Sequence, residues 1–175
     1  MKVISIWQPF ASLVVHGCKV FETRGWPAPQ SLIGRELGIA ATKSINPAQR
    51  AHCAQESFQL SYAATALPEW ETLPRGALLG HVTLCAVEEI DEELLENVSV
   101  HEQAFGWWEP GGYAWRLTNP VIYPEPVPIR GRQGIFDWNG NPYHVGSSED
   151  EAGRQGAGPG RPDEPETLRR HLRAV

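Results

Sequence analysis

Several things are missing from this chain. It has no run of about eighteen apolar residues, the length a membrane-spanning helix needs. It also has no basic-then-apolar leader, because its first apolar stretch, residues 3–7, meets Gln8 and Pro9 at once. The expectation is a cytoplasmic protein with no membrane partner. Cysteine is scarce: Cys18, Cys53 and Cys85 are odd in number, far apart and never in a Cys-x-x-Cys pair. That argues against a disulfide framework or a zinc site and for reduced, buried thiols. The six histidines show no metal-ligand spacing, so neither a metal nor another cofactor is expected. Net positive charge is missing too. At −6 the chain does not hold nucleic acid through overall basicity, since such affinity comes from neutralising phosphates, and any RNA contact has to be local. No internal repeat is found.

What is present suffices for a folded domain. The 175 residues are 41% hydrophobic with seven tryptophans, enough for a core of ordinary size. From residue 146 to 167 the composition shifts to Gly, Pro, Ser, Glu, Asp and Arg without an aromatic, a mixture unable to bury enough surface to order itself. The reading is therefore an ordered domain over residues 1–143 and a flexible tail over 144–175.

The most informative segment is residues 5–24. Pro9 suits a first helical turn, where its missing N–H has no partner to lose, and Phe10, Leu13 and Val14 follow at helical spacing. Gly17 supplies a helix stop, and residues 19–24 read as a strand with Lys19 at the joint. Strand alternation puts Glu22 and Arg24 on one face and Phe21 and Thr23 on the other. A carboxylate and a guanidinium on one face mark a cleft wall.

Further along, residues 34–42 alternate as a strand, and Asn46-Pro47 starts a helix or helix pair reaching to about residue 66. Residues 77–90 make the strongest strand; residues 91–103 are acidic and either short helix or loop. Residues 113–117 alternate again. Prolines at 120, 124, 126 and 128 then allow only edge or irregular strand before a last strand at 135–138. Short strands with interposed helices predict an α+β fold: a small, mostly closed and mostly antiparallel β-barrel decorated by helices.

Taken together these motifs resemble the ASCH domain family. They are Gln8-Pro9-Phe10, the run Gly17-Cys18-Lys19-Val20-Phe21-Glu22-Thr23-Arg24, Leu37-Gly38-Ile39-Ala40-Ala41, Pro74-Arg75-Gly76, Gly112-Tyr113-Ala114-Trp115 and Pro128-Ile129-Arg130-Gly131-Arg132 with Gln133-Gly134-Ile135-Phe136. The resemblance implies a PUA-like β-barrel with helices at one opening, and RNA or nucleotide handling. Some family members hydrolyse single-stranded RNA or the amide of N4-acetylcytidine. In the amidohydrolase-like members the working set is a Lys after the helix-ending Gly, a Thr three residues later and a mid-chain Glu. Lys19 matches, but Glu22 stands where the Thr would be, and Glu102, Glu88 and Glu89 are all open for the mid-chain acid.

The candidate site residues follow. Lys19 is a phosphate anchor or, if desolvated beside Arg24, an amine of lowered pKa; its plain alternative is a solvated lysine at a helix end. Glu22 and Arg24 contact substrate or merely tie strands together. Gln8 belongs to the matching motif. Trp7, Trp26, Trp107, Trp108 and Trp115 all offer faces for a base, most of them expected in the core; Trp26 and one of the Trp107-Trp108 pair, with Trp108 taken, are the stacking candidates. Arg130, Arg132 and Lys43 are local cations for phosphate. Three functions compete: RNA, nucleotide or nucleoside binding beside the first helix; metal-independent hydrolysis of single-stranded RNA or an N-acylated cytidine through Lys19, Glu22 and Glu102; and a protein-interaction module whose partner the sequence does not name.

Overall fold

The computed structural model of the protein describes residues 1–141. The tail expected over 144–175, and the domain end expected at 143, lie outside the described residues. Six strands form one sheet: β1 (Lys2–Ile6), β2 (Phe21–Arg24), β3 (Arg35–Ala41), β4 (Ala77–Glu89), β5 (Tyr113–Pro128) and β6 (Ile135–Asp137), in the order β2-β5-β4-β3-β1-β6. β1 runs parallel to β3, with Lys2 opposite Leu37 and Ile6 opposite Ala41, and the other four pairings are antiparallel.

The sheet curls into a half-barrel, which corrects the expectation of a mostly closed one. β2 and β6 end the sheet and do not pair with each other. The reason lies in β5. It is flanked on both sides only over residues 113–116, where β2 pairs with it; beyond that it pairs with β4 alone, and Pro120, Pro124, Pro126 and Pro128 have no N–H to give a further strand. Register shifts between β4 and β5 accommodate the prolines, so the expected irregular edge is the second half of one 16-residue strand.

Within the described residues five α-helices decorate the sheet: α1 (Phe10–Val15), α2 (Pro47–Cys53), α3 (Glu56–Ala63), α4 (Glu92–Asn97) and α5 (Val100–Ala104). Among the described residues no helix is long and apolar enough to cross a membrane. All six residues of α1 are buried, and burying Phe10, Leu13, Val14 and Val15 contributes about 1.5–3 kcal/mol each. Gly17, at φ 72°, ends the turn that follows. Asn46 caps α2 in a reciprocal capping box with Gln49. The acidic stretch after β4 becomes two helices because it carries two caps: Asp91 accepts from the Leu94 N–H and Ser99 from the Glu102 N–H.

Alternation sorts the core. Ile4, Ile6, Leu37, Ile39 and Ala41 join α1 and α3 in the main cluster, while Val3, Ala40, Leu78, Tyr123 and Phe136 form a second one. The three cysteines are free, but only Cys53 is buried, with its thiol pushed up to about 12 by burial; Cys18 and Cys85 are partly exposed, against expectation.

Candidate functional site

A cavity of about 140 Å3 opens where the end of β1, the start of α1, β2 and the loop after α5 meet. Lys19, Glu22 and Arg24 all line it, joined by Ser5, Trp7, Thr23 and Trp107. Its position follows from the chain's local signals. The turn at Gly17 returns the backbone across α1, with the Lys19 N–H bonding the Leu13 carbonyl, and strand geometry begins only at Phe21 rather than at residue 19. Lys19 is thereby set below the cavity instead of on a strand face.

Lys19 is 2% exposed, and its Nζ has no hydrogen-bond partner. Glu102 Oε1 stands 3.9 Å from that Nζ, an ion pair without a hydrogen bond. Burial pushes the Lys19 pKa below the ordinary lysine value; Glu22 and Glu102 oppose the shift and Arg24 adds to it. Glu102 itself is occupied, since its two oxygens accept the Val20 and Phe21 N–H groups at 3.0 and 2.9 Å. It is the mid-chain acid that reaches Lys19, and it does so as a strap on the backbone beside that lysine without lining the cavity. Glu88 lies away from the site, paired with Arg116.

On the strand face Arg24 Nε lies 3.0 Å from Glu22 Oε1, too poorly aligned for a hydrogen bond, while Arg24 Nη2 donates to the Ser5 carbonyl at 3.1 Å. The two residues share a face as alternation requires, and Phe21 turns the other way onto Ile90 and Ala114. Thr23, assigned by alternation to that other side, also reaches the cavity rim, where its Oγ1 accepts the Trp107 N–H at 3.1 Å. Close approach makes this contact: a Cβ at Gly106 would sit 3.2 Å from Thr23 Oγ1 and 3.0 Å from Trp108 Nε1, so glycine lets the rim loop lie against β2.

The aromatic wall belongs to Trp7 and Trp107, whose rings meet edge to face at 5.9 Å, and each stays 37% exposed. Phe10 at 5.3 Å and His52 at 4.4 Å support the Trp107 ring from behind. Trp108, the expected stacking face, packs instead on Phe21 and donates Nε1–H to the Glu102 carbonyl. Neighbouring residues of an extended segment point opposite ways, so one tryptophan of the pair had to turn inward, and pattern alone did not say which. Trp26 does not line the cavity; its ring packs edge-on against Trp115. Gln8 does not line it either. It is fully buried, with its amide bonded to the Ser12 hydroxyl, the Ser12 N–H and the Pro74 carbonyl. Lys43, Arg130 and Arg132 surround a second hollow, which touches the first only through Ser5.

Sequence reading missed Ser5 and Thr23, and it weighed Trp7 and Trp107 as aromatic faces without choosing either. Ser5 carried a usable signal, as the one hydroxyl in the apolar run from residue 3 to 7.

The site can therefore offer three things to one small polar ring. It has two aromatic rings, an ammonium at Lys19 without a hydrogen-bond partner, the Arg24 guanidinium, and the acceptor Glu22. The two cations and two carboxylates cancel in formal charge.

Residues 4–126 match the family model for the ASCH domain. The solved ASCH protein of Zymomonas mobilis aligns over 79% of this chain and 87% of its own, at 18% identity and a TM-score of 0.50, a likeness of fold. A tyrosine-to-phenylalanine variant of that protein gives 16% identity, 79% and 89% coverage and a TM-score of 0.47. No curated protein matches the chain.

Proposed function

This chain belongs to the ASCH domain family, and we propose that it binds a nucleobase, on RNA or as a nucleotide or nucleoside, in the cavity beside α1. The observation that carries this reading is the set of unpaired polar atoms. Of the four buried side-chain atoms without a hydrogen-bond partner among the described residues, three (Ser5 Oγ, Lys19 Nζ and Arg24 Nε) belong to residues lining this cavity. Native proteins rarely leave buried polar atoms without a hydrogen bond, so three such atoms on the lining residues of one cavity mark it as the place for a polar ligand.

A base fits what is missing. Its edge sets donors beside acceptors, matching Lys19 and Arg24 against Glu22, and its face suits Trp107 and Trp7. Size agrees: about 140 Å3 is close to the roughly 150 Å3 cavity that takes one benzene-sized ring. Zero formal charge in the cluster favours a neutral ring edge over a phosphate at this spot.

The test is titration of tryptophan fluorescence with the four ribonucleosides and a short single-stranded RNA. Trp107→Ala is expected to weaken binding about five- to 150-fold, in line with roughly 1–3 kcal/mol for a stacked base, and Glu22→Gln to change which base is preferred. Undetectable binding of every probe overturns the proposal and leaves the protein-interaction reading.

One observation favours hydrolysis as a second reading. A desolvated lysine of lowered pKa, facing a carboxylate across a cavity, has the parts to accept a proton from water and hand it to a leaving nitrogen or oxygen. In that reading Glu22 orients the water, Lys19 shuttles the proton, and Glu102 positions Lys19. Incubation with N4-acetylcytidine and with single-stranded RNA, with and without chelator, is expected to show turnover that chelator spares and Lys19→Met abolishes. Turnover unaltered in Lys19→Met removes this reading.

A further inference from the structure

A second hollow, of about 380 Å3, lies across Ser5 from the base cavity, and the two share that residue alone. Three cations stand around it: Lys43 from the turn after β3, and Arg130 and Arg132 from the turn between β5 and β6. None of the three forms an ion pair or hydrogen bond with another described residue, whereas Lys2, Arg24 and Arg116 each have a carboxylate within 3.0 Å. Among the described residues no acidic side chain lines this hollow. In a chain of net charge −6, three cations gathered on one concavity without a partner among the described residues are a local exception.

The hollow is also built. Gly76 N–H bonds the Ala41 carbonyl at 2.9 Å, Ile129 N–H bonds the Gly76 carbonyl at 3.0 Å, and Thr42 N–H bonds the Ile6 carbonyl at 3.0 Å, so backbone bonds at the ends of β1, β3, β4 and β5 hold its rim. Ser5 lines both hollows: its carbonyl accepts from Arg24 of the first cavity, and its Oγ, which has no hydrogen-bond partner, lies against Gly131 of the second.

We infer that this hollow is a phosphate subsite for the ligand whose base enters the cavity, so that the protein selects a nucleotide, free or within a strand, over a nucleoside. The inference rests on the base-binding reading above. The two hollows adjoin at Ser5, and the division of charge assigns the parts of one ligand to them. The balanced cluster of Lys19, Glu22, Arg24 and Glu102 takes the uncharged ring. The unbalanced trio takes the anion through charge-assisted hydrogen bonds, with arginine suited to two phosphate oxygens at once. Lys19, the obvious phosphate anchor from sequence, is not used for phosphate.

The experiment compares each ribonucleoside with its 3′- and 5′-monophosphates, and inorganic phosphate alone, by calorimetry at low and high salt. The proteins are the parent, a Lys43→Ala/Arg130→Ala/Arg132→Ala triple variant and Trp107→Ala. One monophosphate isomer is expected to bind about ten- to a hundredfold more tightly than its nucleoside. That gain should fall as salt rises and vanish in the triple variant, while nucleoside affinity stays as in the parent. Trp107→Ala should weaken both ligands. If nucleosides bind and phosphate adds nothing, or the gain survives in the triple variant, the phosphate subsite is wrong and the base cavity stands. If neither nucleosides nor nucleotides bind, both readings fall.

Discussion

The two ends of α1 carry the same kind of residue in opposite states. Before the helix, Gln8 is fully buried and its amide makes three hydrogen bonds, to both Ser12 groups and to the Pro74 carbonyl. After it, Lys19 is as deeply buried and its ammonium makes none. Both belong to the motif that resembles the family, so motif membership does not separate them. Satisfaction does: a buried polar group whose bonds are complete holds the fold together, and one without a hydrogen bond beside a cavity is available to a ligand.

Four changes break or sharpen that contrast. The largest effect is expected from Glu102→Ala, which strips the acceptors from the Val20 and Phe21 N–H groups and leaves the Lys19 charge without its carboxylate. A loss of about 3–5 kcal/mol is expected, read by urea denaturation. Next is Gln8→Leu, which orphans the buried Ser12 N–H and Pro74 carbonyl. About 3 kcal/mol should be lost with no separate effect on nucleoside affinity in the protein that remains folded.

Third is Lys19→Met, which should leave stability at pH 7 equal to the parent's or up to about 1 kcal/mol above it, because Glu102 keeps its two backbone donors and Glu22 keeps Arg24. Binding is lost all the same. A loss of several kcal/mol here would show that Lys19 is structural and the contrast false. The smallest effect is on pH dependence. Burial lowers the Lys19 pKa from 10.5, so between the folded value and 10.5 the unfolded chain holds more protons than the folded one. The cost of the buried charge is therefore complete below the folded pKa and relieved as pH rises towards 10.5. The stability gap between Lys19→Met and the parent should narrow over that range, and a gap that is flat with pH would put the lysine's charge outside the balance.

Sequence and structure agree where one local rule acts alone. Gly17 ends the turn after α1, the capping pair Asn46 and Gln49 starts α2, and Glu22 and Arg24 share a face by the period of a strand. They part where two neighbours compete for one direction or where a partner is distant. Trp107 and Trp108 have equal standing in the sequence, and Phe21, 87 residues before Trp108, draws that ring inward. Glu102, Glu88 and Glu89 were indistinguishable until the Ser99 cap put α5 under the β2 entry, where bare N–H groups were waiting. The barrel expected from strand count stays half open because the second half of β5 has proline where a closing strand would need donors.

The sequence by itself determined the strands, the stop at Gly17, the family motif and the ionisable set of Lys19, Glu22 and Arg24, since these depend on residues a few positions apart and on backbone rules that act at that range. Only the tertiary structure decided which polar groups are left without partners, and so which of Gln8, Lys19, Trp26, Trp107 and Glu102 face the cavity. Hydrogen bonding in a core is settled by contacts between segments far apart in the chain, and no local pattern records them.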